Sequence, residues 1–106
     1  MKQISVEELK NRLDQGEQLH IIDVRENEEY QEDNLGVQLL PLSEIVNYEV
    51  DDIEELKQEE LILHCRSGQR SMQAAMILES LGFENVVNLV GGIMDWRAKF
   101  GSENLK

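Results

Sequence analysis

The sequence predicts an α/β fold with a central, mostly parallel sheet of about five short strands and helices on both faces. Three observations lead there. Short apolar runs at 19–24, 37–40, 61–65 and 86–89 alternate with segments of helical periodicity. Those runs are continuous rather than alternating, the pattern of strands buried on both sides. Strands separated by helices pair parallel, because the helix supplies the crossover. The 106 residues leave room for one core, and no linker, repeat or low-complexity tract divides them. A single domain over 1–106 is expected.

The elements follow in order. Ser5-Val6-Glu7-Glu8 is a capping box, with Ser5 as N-cap and Glu8 three residues on. Val6, Leu9 and Leu13 then share one helix face, and Gly16 stops the helix. Leu19 to Val24 reads as a buried strand. Asn27 to Tyr30 reads as a short helix with an acidic first turn. Val37 to Leu40 is a short strand closed by Pro41, the only proline. Ser43 caps a helical turn through Ile45 and Val46. Asp51 to Leu56 reads as an acidic helix with Ile53 and Leu56 inward. Leu61 to Cys65 is the central strand. Ser71 to Leu81 is a helix packing through Ala74, Ala75, Ile77, Leu78 and Leu81, with Gly82 as its stop. Val86 to Leu89 is the last strand, and Gly92 to Phe100 a terminal helix carrying Trp96.

Composition narrows the function. The net charge of −12 argues against nucleic-acid binding. The acidic residues read as a solvated surface, ahead of a docking face for a basic partner. No apolar run is long enough to span a membrane, and Met1 to Ser5 lacks a signal-peptide core. The expected compartment is the cytoplasm, where the single cysteine stays a free thiol. One cysteine and two scattered histidines make no convincing metal site, so no metal or organic cofactor is expected.

The chemistry concentrates in Cys65-Arg66-Ser67-Gly68-Gln69-Arg70-Ser71. An apolar strand runs into the cysteine, a tight loop follows, and a helix starts. Loop N–H groups and the positive end of the helix dipole converge there on one spot. A thiol in that field is favoured as thiolate. Two arginines, Arg66 and Arg70, add forked donors suited to tetrahedral oxyanions. The pattern points to a nucleophilic cysteine facing an anion or carrying a covalent group. His64 reads as structural, since neighbouring strand residues point to opposite faces. Asp23 and Arg25 share one side of their strand. They read as supporting residues, more as a brace tying strand 19–24 to loop 65–70 than as a lining of it. Gly91 and Gly92 read as a tight turn.

At these residues the chain resembles the rhodanese-like family of single-domain sulfurtransferases. The loop CRSGQRS is similar to the family's persulfide-carrying loop. Asp23-Val24-Arg25 after Leu19-His20-Ile21-Ile22 is similar to its strand-end DVR. Leu89-Val90-Gly91-Gly92-Ile93-Met94-Asp95-Trp96 is similar to its LxGGxxxW ending. One stretch departs from the pattern: a GHIPGA-type segment is replaced by Glu32 to Pro41. Asn34 stands near the usual histidine, and Gly36 and Pro41 keep the punctuation. The departure bears on substrate or partner preference. The resemblance implies the rhodanese-like three-layer fold. It also implies sulfane sulfur carried as a persulfide on Cys65, passed from thiosulfate or a persulfide donor to a thiol or cyanide. The implied partners are small sulfur compounds or a protein persulfide or thiol.

Two other readings stand beside it. Cysteine phosphatases and arsenate reductases share the strand-loop-helix logic, but with five residues between Cys and Arg where this chain has four. A smaller ring suits one sulfur better than a phosphoryl group. A non-catalytic binding or regulatory module of the same fold has no chemical need for the thiol.

Overall fold

The computed structural model describes residues 1–105. Strands β1 (Lys2–Ile4), β2 (His20–Asp23), β3 (Gln38–Leu39), β4 (Glu60–His64) and β5 (Asn85–Leu89) form one sheet in the order β1-β5-β4-β2-β3. Every neighbouring pair is parallel, so the sheet is wholly rather than mostly parallel. Helices α1 (Val6–Asp14), α2 (Asn27–Glu32), α3 (Leu42–Ile45), α4 (Gln69–Ser80) and α5 (Gly92–Phe100) surround it, with a 3-10 turn at Asp51–Leu56.

Alternation along the strands divides the core in two. Leu61 and Leu63 of β4 point to one face, where Ile45, Ile53, Ala74, Ala75 and Leu78 bury them. Ile62 points to the other, under Val6, Leu9, Ile93 and Trp96. Helices therefore cover both sides. β4 runs between β2 and β5, with Ile62 in register with Ile21 and Val87. Its carboxyl end lies at the centre of the sheet edge where ligands bind in open parallel sheets. Among the described residues, no helix is long and apolar enough to cross a membrane.

Local expectations hold where the determinant is local. The Ser5 capping box forms with both of its hydrogen bonds, and Trp96 is fully buried. Four details differ. β1 has no apolar run to reveal it. It is an edge strand with two exposed residues, held by backbone pairing to β5. Residues 51–56 wind as 3-10 rather than α. The third helix starts after Pro41, and the Ser43 hydroxyl donates instead to Glu26 Oε1 at 2.7 Å. α4 begins two residues early, at Gln69, because Gly68 takes φ 108° and turns the chain straight into the helix.

Candidate active site

The loop from Cys65 to Gly68 wraps the thiol. Cys65 Sγ accepts the Gly68 N–H at 3.1 Å and lies 3.4 Å from Ser71 Oγ in the first turn of α4. Cys65 is 1% exposed. Burial pushes its thiol up. The Ser71 hydroxyl, and the N–H groups of Ser71, Gly68 and Ser67, pull it down further, and the balance lies below the ordinary thiol value.

The loop keeps its N–H groups inward because a second helix takes its carbonyls. Ile93 N–H donates to Cys65 O at 2.9 Å and Met94 N–H to Arg66 O at 3.0 Å. Both donors are orphans of the first turn of α5. A planar trans peptide points its N–H opposite its C=O. A carbonyl turned out toward α5 therefore turns the following N–H away from that helix, into the loop. Gly92 makes this approach possible. A Cβ there would overlap Cys65 O and lie 2.6 Å from Arg66 O. The Gly91-Gly92 turn exists, with φ 84° and 56°, but its tighter constraint is this backbone-to-backbone contact.

The arginines divide their roles. Arg70 donates from both terminal nitrogens to Glu29 of α2, at 2.6 and 2.7 Å. The pair straps loop 65–70 to α2, and Arg70 holds the Glu29 carboxyl down at about 2. Arg66 is exposed and has no ion pair among the described residues. It lines a cleft of about 390 Å³ beside the loop, shared with Arg25, Glu29, Ile93, Met94 and Arg97. Ser67 and Gln69 are exposed on the loop, whereas Gly68 and Ser71 are buried in it.

Asp23 and Arg25 form a buried pair, with Arg25 Nη2 2.9 Å from Asp23 Oδ2 and Nε within reach of both oxygens. The brace they make is not the expected one. Arg25 Nη2 donates to Asp33 O at 2.7 Å, so it ties the end of β2 to the chain after α2. The strap on loop 65–70 is Glu29 instead. His64 faces away from Sγ, with Nε2 3.7 Å from Asp23 Oδ2 and Nδ1 3.3 Å from Cys65 O. Burial lowers its pKa, opposed by Asp23. A neutral ring so placed is no base for the thiol. Asn34, in the atypical segment, accepts the Gly36 N–H at 2.9 Å and donates to Tyr30 O, shaping the turn where the family pattern has its histidine.

Glu29, Gly92 in its packing role, and Asn88 are what sequence reading missed. Glu29 is hidden in an acidic run, Glu28-Glu29 and Glu32-Asp33. Asn88 left a signal: it is the one polar residue inside the apolar run 86–89.

Breaking the strap has two expected consequences. Glu29→Gln loosens the loop and lowers thiol alkylation by severalfold. It also flattens acid sensitivity. Glu29 titrates lower folded than unfolded, so the pair stabilises above the ordinary value of 4.5 and is lost as pH falls toward about 2. Melting curves across that window fall more steeply for the native protein than for the variant.

Residues 5–99 match the family model described as Rhodanese-like domain. A Bacillus subtilis protein provisionally named sulfur carrier protein YrkF is 40% identical over 98 residues. The match covers 92% of this chain and 51% of that protein, so the chain spans about half its length. A second B. subtilis protein, provisionally named sulfurtransferase YtwF, is 36% identical over 109 residues, covering 98% of each. The crystal structure of a rhodanese-like domain protein from Staphylococcus aureus superposes with a TM-score of 0.77 at 33% identity, over 91% of each chain.

Proposed function

Because the chain belongs to the rhodanese-like domain family, we propose that it is a sulfurtransferase carrying sulfane sulfur on Cys65. The Cys65 thiolate attacks the outer sulfur of thiosulfate or of a persulfide. The donor's S–S bond breaks, and sulfite or the donor thiolate leaves with the electron pair. A thiolate or cyanide then attacks the outer sulfur of the Cys65 persulfide, and the Cys65 thiolate leaves. The two half-reactions make a ping-pong cycle. One observation carries the reading: Sγ sits among converging donors that hold it below the ordinary thiol value. The same N–H groups suit the thiolate that departs in the second step.

Arg66 is the candidate for receiving a donor's anionic end, since Arg70 is engaged by Glu29. That engagement also counts against the phosphatase reading, in which a loop guanidinium must be free to grip phosphoryl oxygens. The activated thiol counts against a non-catalytic module. A reducing compartment, the cytoplasm, suits the chemistry. A small sulfur compound or a protein thiol or persulfide is the proposed partner, in keeping with the carrier name of the YrkF relative.

The test is thiocyanate formation from thiosulfate and cyanide, run beside hydrolysis of an aryl phosphate. Transfer without hydrolysis is expected, and robust hydrolysis overturns the reading. Arg66→Ala is expected to raise KM for thiosulfate by about tenfold, the worth of one charge-assisted contact. Its kcat changes little, because the thiol's own donors are intact.

A further inference from the structure

Asn88 lies on β5, 2% exposed, on the face that carries Val86 rather than the one that carries Val87 and Leu89. Alternation aims it at the first turn of α4, where its Oδ1 accepts the Ser71 hydroxyl. The Ser71 hydroxyl has one proton and three acceptors around it: Asn88 Oδ1, Gly68 O at 3.2 Å and Cys65 Sγ at 3.4 Å. While Cys65 is a thiol, every group can be paired, with S–H donating to Ser71 Oγ and Ser71 donating to Asn88. Once the thiol proton has gone to water, nothing lies between Sγ and Oγ unless Ser71 turns its own proton toward sulfur. Oδ1 and Oγ would then face each other as two acceptors. Only a side chain with an acceptor and a donor on one head relieves that. Asn88 is such a chain, and its Nδ2 makes no other hydrogen bond among the described residues.

We propose that Asn88 is a positioning residue that sets the direction of the Ser71 hydroxyl. Its amide accepts from Ser71 when Cys65 is a thiol, and turns over to donate Nδ2–H to Ser71 Oγ when Cys65 is a thiolate. Ser71 then donates to sulfur. The exchange moves hydrogen bonds only; the single proton lost is that of the thiol. The inference rests on Cys65 acting as a thiolate, and it deepens the proposed function without depending on which donor is used.

The experiment is the rate of iodoacetamide alkylation of Cys65 against pH, in the full chain. It needs no sulfur donor, so it is read independently of sulfurtransferase activity. Asn88→Asp, in its ionised form, keeps the shape and the acceptor but removes the donor. It is made with Ser71 present and in a Ser71→Ala background. Arg66, the Arg70–Glu29 pair and the Asp23–Arg25 pair behind His64 face the loop equally in all four proteins, so their fields cancel. With Ser71 present, Asn88→Asp is expected to move the curve to higher pH and cut alkylation near neutral pH by about tenfold more than it does in the Ser71→Ala background, the worth of a hydrogen bond to a charged group. In that background the same change acts only through its charge, which alone cuts alkylation by about threefold or more. Should the aspartate variant not fold, the side-chain amide signal of Asn88 in magnetic resonance spectra reads the same exchange, since it is expected to move with Cys65 ionisation by more in the protein that keeps Ser71 than in Ser71→Ala. Equal effects in both backgrounds, or none in either, overturn the proposal.

Discussion

Cys65→Ser is expected to abolish sulfur transfer, by about three orders of magnitude or more, and to leave the fold standing. Serine is smaller than cysteine and can still accept the Gly68 N–H that Sγ now takes at 3.1 Å. The site loses no donor and gains no clash. Its thermal midpoint therefore stays within about 5 °C of the native value. What disappears is the proposed nucleophile. A serine hydroxyl does not ionise under a field that is enough for a thiol, and His64 faces away from position 65 and cannot act as its base. The assay is thiocyanate production per folded molecule, with circular dichroism to count the folded fraction. Residual turnover near the native rate would place the chemistry elsewhere, although Cys65 is the only thiol in the chain.

Gly92→Ala has the second large effect, and it acts through the backbone. Its φ of 56° is one that alanine adopts at a cost of about 1 kcal/mol. The added Cβ would also overlap Cys65 O and meet Arg66 O at 2.6 Å. Neither carbonyl can swing aside like a side-chain tip, because each is held by an N–H of α5. Either α5 backs away or the loop flips. Both outcomes release the carbonyls and turn loop N–H groups away from sulfur. The expected loss is about 2–4 kcal/mol of stability, together with a thiol that alkylates more slowly near neutral pH. Gly82→Ala is the control. Its φ of 97° is also left-handed, but nothing lies within 4 Å of its Cβ. It strains the backbone without touching the loop, so it lowers the melting temperature and leaves Cys65 alkylation unchanged.

The outline of this protein is written locally. The Ser5 capping box, the spacing of Ala74, Ala75 and Leu78, and the apolar run 61–64 each point to their element without knowledge of the rest. The strand-Cys-loop-helix order likewise reveals Cys65, because its activation comes from the Ser71 hydroxyl and backbone N–H groups within six residues. What stays hidden depends on distant pairing. β1 owes its form to β5, far along the chain. Arg70 looks free until α2 brings Glu29 to it across 41 residues. Asp23 and Arg25 are legible as a pair, but not the carbonyl of Asp33 that they brace. Gly92 looks like a turn glycine because the loop it touches is distant in sequence. Asn88 is visible as an oddity in an apolar strand, and only the arrival of Ser71 gives it a partner.

The most direct test of sulfur carriage on Cys65 is the intact mass of the protein after incubation with thiosulfate, or with a cysteine persulfide, and removal of excess reagent. The expected product is heavier by one sulfur atom. Peptide mapping assigns the added atom to Cys65, and a single treatment with cyanide removes it as thiocyanate. An unchanged mass with either donor, in protein whose Cys65 still alkylates, would contradict the account.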